Sequence, residues 1–230
     1  SQRVIIICPS SLKWNWFKEL RKWLVRKLTV GVAEGKTFPS TDIVIINFDI
    51  LHNFEKSLSF FWDLIVIDEV HNLCNAKNRR SKCVFGYKPK RNDINKLMTE
   101  RGCDKETAFA ALRKSPMNAR RKLVMSGTPM VNRIKDLFAV LNWLDPEEWK
   151  DEFAFLRRYT AGERDHLGHW NFSGASHVDE LKNRLRSTLL LRRLKKQVWK
   201  EMPLKLRKLV EIPNSLETSK AIRAESDKFE

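Results

Sequence analysis

Neither a CxxC pair nor a pair of histidines at ligand spacing occurs in this sequence, which argues against a structural zinc site. The four cysteines, Cys8, Cys74, Cys83 and Cys103, are scattered, a usage that suits reduced thiols in an intracellular compartment. That compartment would be the nucleus of a eukaryote, or the cytoplasm if the source is prokaryotic or viral. Apolar runs are short. None approaches the roughly 18 residues of a membrane span, so no membrane contact is expected. A signal peptide and internal repeats are also missing, and the sequence opens on Ser1 rather than Met, which reads as a partial or artificial boundary. Acidic residues are the scarce charge, 28 Asp and Glu against 44 Lys and Arg, for a formal net charge of +16.

What is present is the composition of a soluble globular protein, 42% hydrophobic and 31% charged over 230 residues, enough to bury a core in one domain or two. The positive excess is clustered. Leu181 to Val210 holds eleven Lys or Arg against the single acidic Glu201, and Lys77 to Arg91 holds seven basic residues and no acidic one. Such a field draws a polyanion, DNA or RNA, through phosphate contacts and counterion release. A merely solvated basic surface would have the same composition.

Four short runs rich in β-branched residues, Val4–Cys8, Ile43–Ile46, Leu64–Ile67 and Leu123–Met125, read as strands, with a weaker fifth at Leu28–Val32. None alternates cleanly, which predicts burial on both faces, as in a parallel sheet. Between the first two, Trp16, Leu20, Trp23 and Leu24 repeat at helical spacing behind a possible cap at Ser11, and strand–helix alternation predicts a layered α/β domain. Beyond residue 130 the pattern turns helical. Ile134, Leu137, Phe138, Leu141 and Leu144 share a face that ends at Asp145-Pro146, and a helix from Glu147 carries Trp149, Phe153 and Leu156. Gly162–Ser176 reads as loop, followed by helical stretches at His177–Thr188 and Leu189–Lys200. Residues 75–121 read as an exposed insertion.

The strand ends carry the chemistry. Small, polar or acidic residues follow each run: Cys8-Pro9-Ser10-Ser11, Asn47-Phe48-Asp49, Asp68-Glu69-Val70-His71 and Ser126-Gly127-Thr128-Pro129. Open α/β sheets place ligands at that edge. Leu64–Glu69 is a Walker B pattern, an apolar strand delivering two carboxylates. One of them, Asp68, suits holding Mg²⁺ through its waters; the other, Glu69, suits orienting or deprotonating an attacking water. The hydroxyls of the Ser126–Thr128 turn could hydrogen-bond the water-activating carboxylate and couple nucleotide state to a second lobe. A strand that simply ends in acidic residues and an ordinary tight turn are the alternatives, and the ordered pair of boxes is more specific than either member. Gly31–Thr37 imitates a phosphate loop but has three residues between its glycines where four are required, and Pro39 disrupts the helix that should follow. Trp14, Trp16 and Trp23 are expected to pack in the core rather than stack on bases, and Asp165, His166 and His169 to form a solvated turn rather than a metal site.

The segments Ile5–Trp16, Asp68–His71, Leu123–Pro129 and Leu190–Val198 together resemble the Swi/Snf family of superfamily 2 DNA translocases, most closely its HARP-type annealing-helicase branch. Gly35–Thr37, Trp170–Ser176 and Met202–Lys205 add to the likeness, which covers nearly everything from residue 3 to 212 apart from the insertion. The resemblance implies a RecA-like first lobe over residues 1–130 and a helical protrusion with the start of the inter-lobe connection over 131–212; 213–230 read as a truncated tail. It implies ATP and Mg²⁺ as cofactors and double-stranded or forked DNA as partner. Pro9, Ser10 and Ser11, with Lys13 beside them, match the box that touches the DNA backbone. His71 matches a residue linking nucleotide sensing to lobe closure, and Arg192 and Arg193 a pair that braces the lobes or holds DNA. The nucleotide-phosphate lysine is expected upstream of residue 1 and the second RecA-like lobe downstream of residue 230, so the chain alone should hydrolyse ATP negligibly. A non-catalytic nucleic-acid-binding or scaffold remnant of such a motor, or an RNA helicase lobe, are the competing expectations.

Overall fold

Five strands form the centre of the computed structural model of this chain, which describes residues 2–75, 78–127, 133–164, 166, 168–193 and 195–198. They are β1 (Val4–Cys8), β2 (Val30–Val32), β3 (Ile43–Asn47), β4 (Phe61–Ile67) and β5 (Asn118–Val124), in the spatial order β2-β3-β1-β4-β5. Every neighbouring pair is parallel, and Ile7 of β1 stands level with Ile46 of β3 and Ile67 of β4.

The absence of alternation in these runs has a simple cause: both faces of the sheet are covered. Ile5, Ile7, Val44, Ile46, Ile65 and Ile67 face one layer, where they meet Phe48, Leu51, Phe54 and Leu58 of the segment after β3. Ile6, Cys8, Ile43, Ile45 and Val66 face the other, against Trp16, Phe17 and Leu20 of helix α1 (Lys13–Trp23). Ile5, Ile7, Ile65 and Ile67 are all at 0% exposure, and truncating one of them to Ala would cost about 2–5 kcal/mol. On the first layer the core is completed by the short α2 (Glu55–Leu58), by Cys83 and Val84 of α3 (Arg79–Phe85), and by Val140 and Trp143 of α6 (Phe138–Leu144).

Strand β5 begins at Asn118, five residues before the apolar run, and is a half-exposed edge strand: Arg120, Arg121 and Leu123 face solvent, and among the described residues it pairs with β4 alone. Ser11 does not cap α1; it lies in a 3₁₀ turn, Ser10–Leu12, that passes into the helix through Leu12. The insertion is shorter than 75–121, because α3 belongs to the core and residues 118–121 to β5. What remains is an excursion of two helices, α4 (Arg91–Arg101) and α5 (Lys105–Leu112), closed at its base by paired backbone bonds between Tyr87 and Lys114. Gly86 opens it at φ 78°, where a Cβ would lie 2.7 Å from the Pro116 nitrogen. Trp14 and Trp23 are not core residues but 52% and 67% exposed; of the three helical tryptophans Trp16 alone packs on the sheet.

The helical part begins with a 3₁₀ turn, Ile134–Leu137, leading into α6, which stops at Asp145 as expected. The next helix, α7 (Glu152–Tyr159), starts five residues later than expected, where the Asp151 carboxylate accepts from the Ala154 N–H. Within the expected loop, β6 (Glu163–Arg164) and β7 (Trp170–Asn171) pair antiparallel. Helix α8 (Val178–Thr188) supplies Glu180, whose Oε1 accepts from Arg158 Nε at 2.8 Å and from the Tyr159 hydroxyl at 3.0 Å. The chain divides into two compact units, 1–182 and 183–230. In the second, the Leu189 and Leu190 amides bond the Leu185 carbonyl to close α8; the helix expected over Leu189–Lys200 is absent at Leu190–Arg193, where Arg192 and Arg193 are exposed, because the chain turns there, and among the described residues it is helical only as α9 (Lys195–Val198). Residues 199–230, including the expected tail, lie outside the described residues.

Candidate nucleotide site

The carboxyl ends of β1, β4 and β5 are stitched together by backbone bonds. Asp68 N–H donates to the Ile7 carbonyl at 2.8 Å, Met125 N–H to the Ile67 carbonyl at 2.8 Å, and Val70 N–H returns to the Met125 carbonyl at 3.0 Å. Between them Glu69 adopts the left-handed conformation, φ 53° and ψ 55°, uncommon for a non-glycine residue. Both the Asn72 amide and its side-chain Nδ2 bond the Glu69 carbonyl at 3.0 Å and hold that turn.

This geometry brings the two boxes to one place. His71 Nδ1 lies 3.1 Å from Glu69 Oε2 and 3.3 Å from Ser126 Oγ, a residue 55 positions away in sequence. With the proton on Nδ1 the single ring N–H is shared between the two oxygens. Glu69 is 37% exposed, so water reaches its carboxylate. Asp68 is half-buried, and its Oδ2 accepts from the indole Nε1–H of Trp16 at 3.0 Å. Sequence reasoning missed Trp16 as a site residue: its helical spacing marked only a packing position. Cys8, at the end of β1, is fully buried; burial first, and then the Asp68 carboxylate, push its thiol up to about 12 against the opposing pull of Lys13.

The turn expected to meet DNA lies on the neighbouring strand end. Pro9 is extended, its carbonyl accepts from Leu12 N–H at 3.0 Å, and Ser10 and Ser11 are exposed. Lys13 turns back toward the sheet, its Nζ donating to the Ala33 carbonyl at 3.1 Å. Gly127 is exposed; Thr128 and Pro129 lie outside the described residues. Gly31–Thr37 is no phosphate loop: Gly31 is inside β2, and Glu34 and Thr37 exchange backbone bonds around Gly35 at φ 54°. His166 and His169 are exposed, Asp165 is outside the described residues, and among those described no three His, Cys, Asp or Glu group as metal ligands. The Asp68–Glu69 pair still suits Mg²⁺, which typically takes one or two carboxylates and completes its shell with water and nucleotide phosphates. Asp68 Oδ1 accepts no hydrogen bond from the described residues, which leaves it available to such an ion.

The family model for the SNF2-related domain matches residues 1–92 and 102–223. The chain belongs to the SNF2-related domain family. The unmatched stretch falls within α4, so the two-helix excursion departs from the SNF2-related pattern there. Among relatives, the SWI/SNF-related matrix-associated actin-dependent regulator of chromatin subfamily A-like protein 1 of Xenopus tropicalis is 29% identical over 211 residues, covering 90% of this chain and 19% of the relative. The mouse DNA annealing helicase and endonuclease ZRANB3 is 24% identical over 221 residues, covering 90% and 18%. This SNF2-related chain thus spans about a fifth of the length of the curated relatives it matches. The Sulfolobus solfataricus SWI2/SNF2 ATPase core in complex with dsDNA superposes with a TM-score of 0.57 at 21% identity, covering 84% of this chain and 34% of that one. That likeness, with the parallel sheet, establishes the RecA-like α/β fold of an SNF2-related lobe. Among the described residues no helix is long and apolar enough to cross a membrane.

Proposed function

We propose that this chain is the larger part of the first motor lobe of an ATP-driven translocase on double-stranded DNA, acting within a longer protein that supplies a second RecA-like lobe. On this reading residues 1–130 would belong to the partial lobe and 131–212 to the protrusion and the start of the inter-lobe connection. The observation that carries the reading is the junction of the two boxes: Glu69 and Ser126 meet through His71 at one sheet edge, beside Asp68.

Each residue has a task that its surroundings support. Asp68 would hold Mg²⁺, whose chemistry here is to neutralise charge on the nucleotide phosphates. Glu69, exposed to solvent and held by His71, would orient the attacking water and take its proton. Ser126, with Thr128 following, would sense the water-activating carboxylate through His71. The Ser10 and Ser11 hydroxyls and the amides of the turn after Pro9 would donate to a DNA phosphate. Lys13 is assigned to the same backbone contact, which requires its ammonium to leave the Ala33 carbonyl. Arg192 and Arg193, exposed and basic, would brace the lobes or grip DNA. A net charge of +16 supports a polyanionic partner, and four free cysteines support a reducing, intracellular setting.

Steady-state ATPase of the full-length parent, with and without duplex or forked DNA, tests this. Turnover is expected to rise with DNA and to fall about 10²–10⁴-fold in Glu69→Gln, the range for loss of a positioned general base. No stimulation by DNA, or no loss in Glu69→Gln, would refute the proposal. Binding competition between duplex DNA and duplex RNA across a salt series separates the DNA motor from an RNA helicase.

A further inference from the structure

One contact reaches the proposed catalytic cluster from the first turn of α1. Trp16 lies within the first turn of α1, on the face that packs against Ile6, Ile45 and Val66. Its Nε1–H spans 52 residues of sequence to donate to Asp68 Oδ2 at 3.0 Å. Among the described residues it is the one donor to that side chain. A carboxyl bonded through one oxygen has its rotation fixed, and the other oxygen is left for a ligand. Packing of the indole between α1 and the sheet in turn fixes the donor. The helix that carries it continues, through Leu12, from the Ser10–Ser11 turn, so the donor and the proposed phosphate-binding hydroxyls ride on one continuous segment.

We propose that Trp16 is a positioning residue for Asp68, holding the carboxylate in the orientation that receives Mg²⁺ and passing displacements of the Pro9–Ser11 turn to it. This rests on the motor reading above and adds a path by which bound DNA alters the metal carboxylate. Of the other polar side chains of that helical turn, Lys13 directs its ammonium to the Ala33 carbonyl and Asn15 is exposed, so the contact from this turn to Asp68 is the indole.

The test uses the full-length parent and Trp16→Phe, which keeps an aromatic ring in the packing and removes the N–H. Binding of a fluorescent ATP analogue is titrated with Mg²⁺ in the absence of turnover, and the half-saturating Mg²⁺ is expected to rise about 10-fold, as for loss of an outer-shell partner of a metal ligand. The ratio of DNA-stimulated to basal ATPase is expected to fall several-fold, while duplex affinity stays within about twofold because the ring is packed on the sheet and the proposed phosphate donors are the Ser10 and Ser11 hydroxyls. In an Asp68→Asn background, Trp16→Phe should change the Mg²⁺ dependence no further. Leu20→Ala, which loosens the same packing face and keeps the N–H, controls for a purely structural role. The proposal is overturned by an unchanged Mg²⁺ half-saturation in Trp16→Phe, by an equal rise in Leu20→Ala, or by an equal loss in the Asp68→Asn background. A wild-type parent without DNA stimulation would remove the motor reading, whereas the Mg²⁺ titration judges the Trp16–Asp68 link by itself.

Discussion

His71 and Ser126 meet at 3.3 Å across the ends of two adjacent parallel strands, and the same ring nitrogen lies 3.1 Å from Glu69. On the proposed reading, one imidazole would report the position of the β5 turn to the carboxylate that activates water. Ser126→Ala removes one neutral hydrogen-bond partner, so DNA-stimulated turnover should drop about 2–10-fold with nucleotide affinity nearly unchanged. Adding His71→Ala should cost less than the product of the two single effects, since both act through one ring. A double-mutant cycle on kcat of the parent measures this; full additivity would separate the two residues.

The left-handed backbone of Glu69 separates stability from function. At φ 53° a Cβ is strained, so Glu69→Gly should be more stable than Glu69→Ala by about 1 kcal/mol in urea unfolding. Both variants should lose turnover alike. An alanine variant as stable as the glycine one would mean that the turn relaxes.

Thiol chemistry probes the sheet from inside. Burial, helped by Asp68, pushes Cys8 up to about 12, and burial pushes Cys83 up to about 11. Neither carries appreciable thiolate near neutral pH, so both should resist iodoacetamide until the protein unfolds. Peptide mass spectrometry after timed alkylation reads the order, and early modification of Cys8 would contradict a closed core at the end of β1.

Glu180 gives an acid-sensitive joint. The Arg158 guanidinium bonded to it, then the Tyr159 hydroxyl, hold its carboxyl down at about 2 against an ordinary 4.5. A depressed carboxylate stabilises the fold fully above its unfolded value, and that contribution fades as pH falls from about 4.5 toward about 2. Wild type should therefore melt above Glu180→Gln at pH 7, with the gap closing across that window. A gap that persists at pH 2 would assign the difference to packing.

The buried strands β1, β3 and β4 were readable because each is a run of β-branched residues covered on both faces, which leaves no ambiguity of period. The placement of Asp68, Glu69 and Ser126 at one sheet edge was readable because each sits immediately after such a run. Strand β5 was only half readable: its first residues, Asn118 to Lys122, are polar, since an edge strand has a wet side, and they looked like insertion. Trp16 escaped for a different reason. Spacing reports which face a side chain occupies, but the hydrogen bond from its ring edge depends on a strand end 52 residues away. The exposure of Trp14 and Trp23 shows the same limit, because helical periodicity cannot say how far around the helix the sheet reaches.

The level pairing of Ile7 with Ile67, inside strands bonded on both edges, makes the ends of β1 and β4 a single stiff beam. Neither strand slides without breaking a ladder of main-chain bonds and emptying two packed layers. Whatever travels between the Ser10–Ser11 turn and Asp68 must then do so by tilting of α1 or by rotation of side chains at the rim. Any movement the proposed motor needs would be peripheral, mounted on a centre that stays still, and the amides of Ile5–Ile7 and Ile65–Ile67 should be among the last to exchange with deuterium.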